Sequence, residues 1–242
     1  MKCELCGALL DAETLCCPAC GAKYAWLCPD CGEPLPGGEE RCPRCGERAL
    51  PGLEMTRQEL QEAGLKCFMP YAGDRVYQIY YGGHNDGEGY VFRDRRGYTH
   101  EPPQRRVVLA SLVEGHPIYG VWNTFFCAGD ELMPEQQEAT YERMMAIREI
   151  VLSNGIQDVM TFAFFGCAGL ELLELPRSLK NMKNDFYDLF KNGQDVMGNG
   201  VRKTPITVRY RGTEEDWRKV AVSSRFWDYV DLGCIRMEYL GR

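Results

Sequence analysis

Residues 3–46 read CELCGALLDAETLCCPACGAKYAWLCPDCGEPLPGGEERCPRCG, and nine of the thirteen cysteines of the 242-residue chain lie in this stretch. Cys3 and Cys6, Cys17 and Cys20, Cys28 and Cys31, and Cys42 and Cys45 form four CxxC pairs, with ten residues between the first and second pair and ten between the third and fourth. A CxxC turn sets two sulfurs on one side of a tight knuckle, at the separation of two vertices of a metal tetrahedron, and two knuckles complete a four-thiolate shell. Zinc is the expected metal, two ions in all, with those eight cysteines as ligands. No position in either shell is left open to water, so both sites are expected to be structural.

The two sets are copies. Adding 25 to Cys3, Cys6, Gly7, Leu10, Cys17, Pro18, Cys20 and Gly21 lands on Cys28, Cys31, Gly32, Leu35, Cys42, Pro43, Cys45 and Gly46. Gly7, Gly21, Gly32 and Gly46 each follow a knuckle, where a positive φ turns backbone amides toward the thiolates. Cys16 aligns with Arg41 and is left over as a non-ligand. Residues 1–48 resemble the double zinc ribbon family on these motifs. Disulfide and redox readings are weaker, since no secretion signal points to an oxidising compartment and four CxxC pairs at ribbon spacing exceed what a redox centre needs. With few large apolar groups besides Tyr24, Trp26 and Leu27, the segment is expected to fold only around its metal.

Outward from the ribbons, Pro51-Gly52 marks a boundary, and Thr56-Arg57-Gln58-Glu59 is a capping box that starts a short helix. Alternation in Val76–Tyr80 and again in Tyr90–Phe92 predicts a hairpin around a Gly-rich turn. Farther on, Ile147, Ile150, Leu152, Ile156, Val159 and Ala163 shift by 23 onto Leu170, Leu173, Leu175, Leu179, Met182 and Phe186, all apolar, which predicts stacked coils sharing one core. An earlier copy runs from Val107 to Phe126. A last one spans Ile206 to Trp217, after which the pattern stops. These blocks resemble BspA-type leucine-rich repeats, common in bacteria, over about residues 105–225. The organisation expected is a double zinc ribbon over 1–50, a linker helix and β-hairpin cap over 51–104, and a short leucine-rich-repeat solenoid over 105–242. That solenoid carries a helical insertion near 130–146, an interruption at 191–203, and a cap including Trp217, Phe226 and Trp227. The fold class is mainly β with short helices.

Charge narrows function. The chain carries 28 basic and 35 acidic residues, a net −7 that disfavours bulk attraction to nucleic acid or an anionic membrane. No run approaches the roughly 18 apolar residues of a membrane helix, and the start lacks the apolar core of a signal peptide, so a cytoplasmic protein is expected. There is no GxSxG, GxxxxGK[ST], HExxH or GxGxxG after a strand, no small-molecule substrate is evident, and the chain reads as non-enzymatic. His116 and the loop holding His84 and Asp86 read as structural and solvated, and Cys67, Cys127, Cys167 and Cys234, which belong to no CxxC pair, as buried thiols. The expected function is a zinc-binding adaptor that engages another macromolecule, with a protein as the expected partner, through the repeat surface. The alternative is an accessory nucleic-acid-binding subunit using the ribbons and the basic stretch Arg93, Arg95, Arg96, Arg105 and Arg106.

Overall fold

The computed structural model describes residues 1–10, 15–62, 65–68, 77–81, 105–121, 145–160, 163–164, 167–183, 186 and 205–241, with 61–62, 65–68 and 77–81 described by their backbone alone. Within them the chain is mainly β, with fourteen strands and three short helices. Strand β1 (Lys23–Leu27) runs out of the first cysteine set into the second, and pairs antiparallel with β2 (Leu50–Met55), which leaves the second set. Helix α1 (Arg57–Glu62) follows behind the expected capping box: Thr56 N–H donates to Glu59 Oε2 at 2.7 Å and Glu59 N–H to Thr56 Oγ1 at 3.1 Å. The Thr56 backbone N–H and hydroxyl, both donating to the Glu59 carboxylate, hold that carboxyl below its ordinary range.

Beyond α1 the backbone alternates between two ladders of parallel strands. One is built from β5 (Arg106–Leu109), β8 (Glu149–Leu152), β10 (Leu172–Leu175), β12 (Ile206–Tyr210) and β14 (Ile235–Tyr239), in that spatial order. The other is built from β7 (His116–Val121), β9 (Asp158–Val159), β11 (Asn181–Met182) and β13 (Ala221–Val222). Short β6 (Leu112–Val113) precedes β7 and ties the ladders to the ribbons through parallel pairing with β2.

The 23-residue spacing is the register of one step. Ile150 lies beside Leu173, and Val159 beside Met182. Other steps are longer: Arg106 beside Glu149 is an offset of 43, Leu172 beside Thr207 of 35, and Ile206 beside Ile235 of 29. All twelve residues of the 23-residue match are buried. At the corners, Phe164, Phe186, Phe226, Trp217 and Tyr210 form one aromatic column with centroid separations of 6.0, 5.7, 5.7 and 5.1 Å, geometry that adds to their area burial.

Two expectations are corrected, and a third lies partly outside the described residues. Pro51 and Gly52 are not a boundary but the middle of β2, paired with Trp26 and Ala25. Gly52 is required by close approach: a Cβ there would fall 2.3 Å from Ser111 Oγ and 2.5 Å from the Asn154 carbonyl oxygen. The pattern does not stop at Trp217. Helix α2 (Glu214–Trp217) leads into β13, α3 (Ser224–Asp231) and β14, which adds a further strand to the first ladder. Phe226 and Trp217 are buried there, and Trp227 is 42% exposed. Finally, the strand at 77–81, β4 (Tyr77–Tyr81), pairs with β3 (Leu65–Phe68) before it and with β7. The expected hairpin arm at Tyr90–Phe92 lies outside the described residues, as do His84, Asp86, Cys127 and the inserted segments at 130–144 and 191–203.

Candidate metal centres and their surroundings

Each knuckle is built by the same bonds. The first cysteine's carbonyl accepts from the N–H of the glycine four residues on, at 2.8–2.9 Å, and Gly7, Gly21, Gly32 and Gly46 take φ of 77°, 76°, 70° and 77°. The bridges Lys2–Leu9 and Cys16–Lys23 recur 25 residues later as Leu27–Pro34 and Arg41–Arg48. Even the leftover cysteine has a counterpart in role: Cys16 Sγ points to the Gly21 carbonyl at 3.7 Å, and Arg41 Nη1 donates to the Gly46 carbonyl at 3.0 Å.

These turns gather Cys3, Cys6, Cys17 and Cys20 into one group and Cys28, Cys31, Cys42 and Cys45 into another, each with its four sulfurs within 4.8 Å of one another. Cys3 and Cys20 sulfurs are 3.6 Å apart, Cys6 and Cys17 3.5 Å, Cys28 and Cys45 3.3 Å, and Cys31 and Cys42 3.6 Å. A tetrahedron with metal–sulfur bonds of about 2.3 Å has edges of about 3.8 Å, so both groups fit a zinc-sized ion with little adjustment. Donors point at the sulfurs as they would at thiolates: Tyr24 O–H at Cys3 Sγ, 3.6 Å, and Cys31 N–H at Cys28 Sγ, 3.4 Å. Burial pushes the Cys20 and Cys28 thiols up to about 12. It pushes Cys17 and Cys42 up as well, but backbone amides, of Cys20 and Ala19 for Cys17 and of Cys45 and Arg44 for Cys42, bring these net down to about 6 and about 7. A metal entering either group therefore displaces protons.

The ribbons are docked. In the strands of the first ladder successive side chains face opposite ways, so Val108 and Val151 point away from the core that Val107, Leu109, Ile150 and Leu152 enter. Yet Val108 and Val151 are 6% and 1% exposed. The first ribbon covers that face: Arg106 Nη1 donates to the Leu5 carbonyl at 3.1 Å, Arg211 binds the Glu4 carboxylate, and Cys3, Leu10, Cys17, Ala22 and Tyr24 join the main core. Across the same row, Val108 and Val151 give way to Glu174, Arg209 and Glu238, paired as a charge ladder. The second ribbon keeps its own small core of Cys28, Leu35, Cys42 and Ala49. Its knuckle rests on the turns of the second ladder. Gln157 Nε2 donates to the Asp30 carbonyl at 3.1 Å, Lys180 Nζ lies 3.0 Å from the Asp30 carboxylate, and the Tyr119 ring lies against Gly32.

None of these residues was given a docking role from sequence, although the signal was there in the mismatches between the copies. Tyr24 has Ala49 as its counterpart, Glu4 has Pro29, and Asp30 has Leu5. Of the basic stretch, Arg93, Arg95 and Arg96 lie outside the described residues, Arg105 is exposed, and Arg106 is engaged by Glu149 at 3.1 Å as well as by Leu5. Cys167 is buried, Cys234 is half-buried, and His116 begins β7. A cleft of about 800 Å³ opens where both ribbons meet the repeats, with Leu10, Trp26 and Tyr210 among its walls and Arg48, Arg177 and Lys219 at its rim. No helix among the described residues is long and apolar enough to cross a membrane. Compared with family models, curated proteins and solved structures, the chain finds no match.

Proposed function

We infer that the chain is a non-catalytic adaptor, two zinc ribbons clasped to a short leucine-rich-repeat solenoid, that binds a protein partner in the cleft between them. The observation that carries this reading is the docking itself. Each four-cysteine group gathers all four of its sulfurs at one point, and both groups are joined to the strand ladders, leaving a recess whose walls come from all three parts. Zinc supplies the crosslink that lets each ribbon hold its shape. A recess with aromatic walls and a charged rim suits a protein segment, which anchors by burying a few large side chains. The nucleic-acid alternative draws no support from Arg106, which is already paired.

The test is isolation of the tagged protein at low salt, with and without nuclease, beside an Arg48→Glu, Lys219→Glu double variant. A protein that co-purifies despite nuclease and is lost with the double variant supports the adaptor. Partners that vanish with nuclease, or that bind the variant equally, overturn the cleft reading.

A further inference from the structure

Among the described residues strand β14 ends the first ladder, and only one of its two edges is paired. Its Cys234 carbonyl accepts from Ile206 N–H at 2.9 Å, and its Leu240 N–H donates to the Tyr210 carbonyl at 2.8 Å. Residues along a strand alternate in which neighbour they bond, so Cys234, Arg236, Glu238 and Leu240 address β12. Ile235, Met237 and Tyr239 turn their amides and carbonyls to the open side, where no described residue bonds them. Open edges are ordinarily blunted by proline, charged side chains, a bulge or a covering loop, and the two charges on β14, Arg236 and Glu238, are of opposite sign. β14 reads Ile-Arg-Met-Glu-Tyr and keeps unbroken register with β12 over all five residues. Beside it stand Trp227, Leu232 and Leu240, 42%, 68% and 51% exposed.

The charge pattern of the strand selects the occupant. If a second copy lies antiparallel along this edge with the two-fold axis at Met237, Ile235 faces Tyr239, Met237 faces itself, and Arg236 faces Glu238 twice. The interface is then self-complementary. Ile235, Met237 and Tyr239 exchange backbone bonds, and Arg236 and Glu238 fall at the non-hydrogen-bonded positions, where opposed side chains are closest. Arg236 is exposed, and Glu238 uses Oε2 for Arg209, leaving Oε1 for a partner. We propose that the chain forms a two-fold dimer through antiparallel pairing of β14, an interface separate from the cleft and independent of the adaptor reading.

The test is sedimentation equilibrium on the whole chain over a concentration series. The parent is expected at twice the 27.6 kDa of one chain. Arg236→Glu alone sets acid against acid and Glu238→Arg alone sets base against base, so each is expected as a monomer. Mixed in equal amounts, the two variants face each other with every pair complementary, and the dimer mass is expected to return. Hydrogen exchange on the parent is expected to show the amides of Ile235, Met237 and Tyr239 slowing as concentration rises. A monomeric parent, a dimer that survives either single variant, a mixture that stays monomeric, or concentration-independent exchange at those three amides would each overturn the proposal.

Discussion

Glu4 stands where the second cysteine set has Pro29, and its side chain is only 4% exposed. A buried carboxylate is tolerable only when paired, and Arg211, itself half-buried and held charged against the cost of burial by Glu4 and Glu174, supplies the cation. Replacing Arg211 with Met leaves Glu4 without its cation, and a loss of about 3 kcal/mol in denaturant unfolding is expected. Adding Glu4→Gln should recover most of it; an unchanged midpoint in the single variant would show the pair to be idle. Tyr24 makes a smaller, more local contribution. Its hydroxyl, pushed well above its ordinary range by burial and by Glu4, stays protonated and donates to Cys3 Sγ. Tyr24→Phe removes that donor, so the first site is expected to yield its metal to a competing chelator about tenfold more readily. The second site, which has Ala49 in the same place, should be unchanged, and two equal release curves would count against the role.

At the scale of the element, the repeat strands were legible wherever inward residues recur at a fixed spacing. Leu173 is fully buried between Ile150 and Val208. Leu173→Asp is expected to cost several kcal/mol, on the order of an unpaired buried charge, read as a lowered melting midpoint. The remaining strands were harder to see because the offsets between coils vary. β14 follows a helix, so its match to β12 is 29 residues away instead of 23, and no single period finds it. Helix α2 is short, and its start depends on a capping box: Asp216 N–H donates to Thr213 Oγ1 at 3.0 Å and Thr213 N–H to the Asp216 carboxylate at 3.2 Å. Burial raises the Asp216 carboxyl, but Thr213 and then Arg177 bring it net below its ordinary value. A depressed carboxyl stabilises above its unfolded value, about 3.9, and loses that contribution as pH falls through the folded one. Asp216→Asn is therefore expected to lower stability at neutral pH. The gap between variant and parent should close on acidification, as denaturant titrations at two pH values would reveal.

For the molecule as a whole, the eight sulfurs could be read from spacing alone, whereas the docking of the ribbons could not. Val108 and Val151 look in sequence like any core valine, and nothing local says that a ribbon, not a neighbouring coil, covers them. Pro51-Gly52 misled for a related reason: the residues that punctuate turns also serve where a backbone must pass close to another, as Gly52 does beside Ser111. Because those two residues lie within β2, a protease should spare residues 50–55 while metal is bound. Chelation should open that stretch to cleavage, and cleavage there in the metal-loaded protein would mean that the ribbons swing free. The clasp between Glu4 and Arg211 joins positions 207 residues apart. A growing chain delivers the ribbons early and Arg211 late. A cysteine group that takes a metal ion can close around it while the ribosome is still working, but the Glu4 clasp cannot form until β12 and Arg211 have emerged, so a nascent chain stalled before residue 211 would carry the first cysteine group with an unneutralised Glu4.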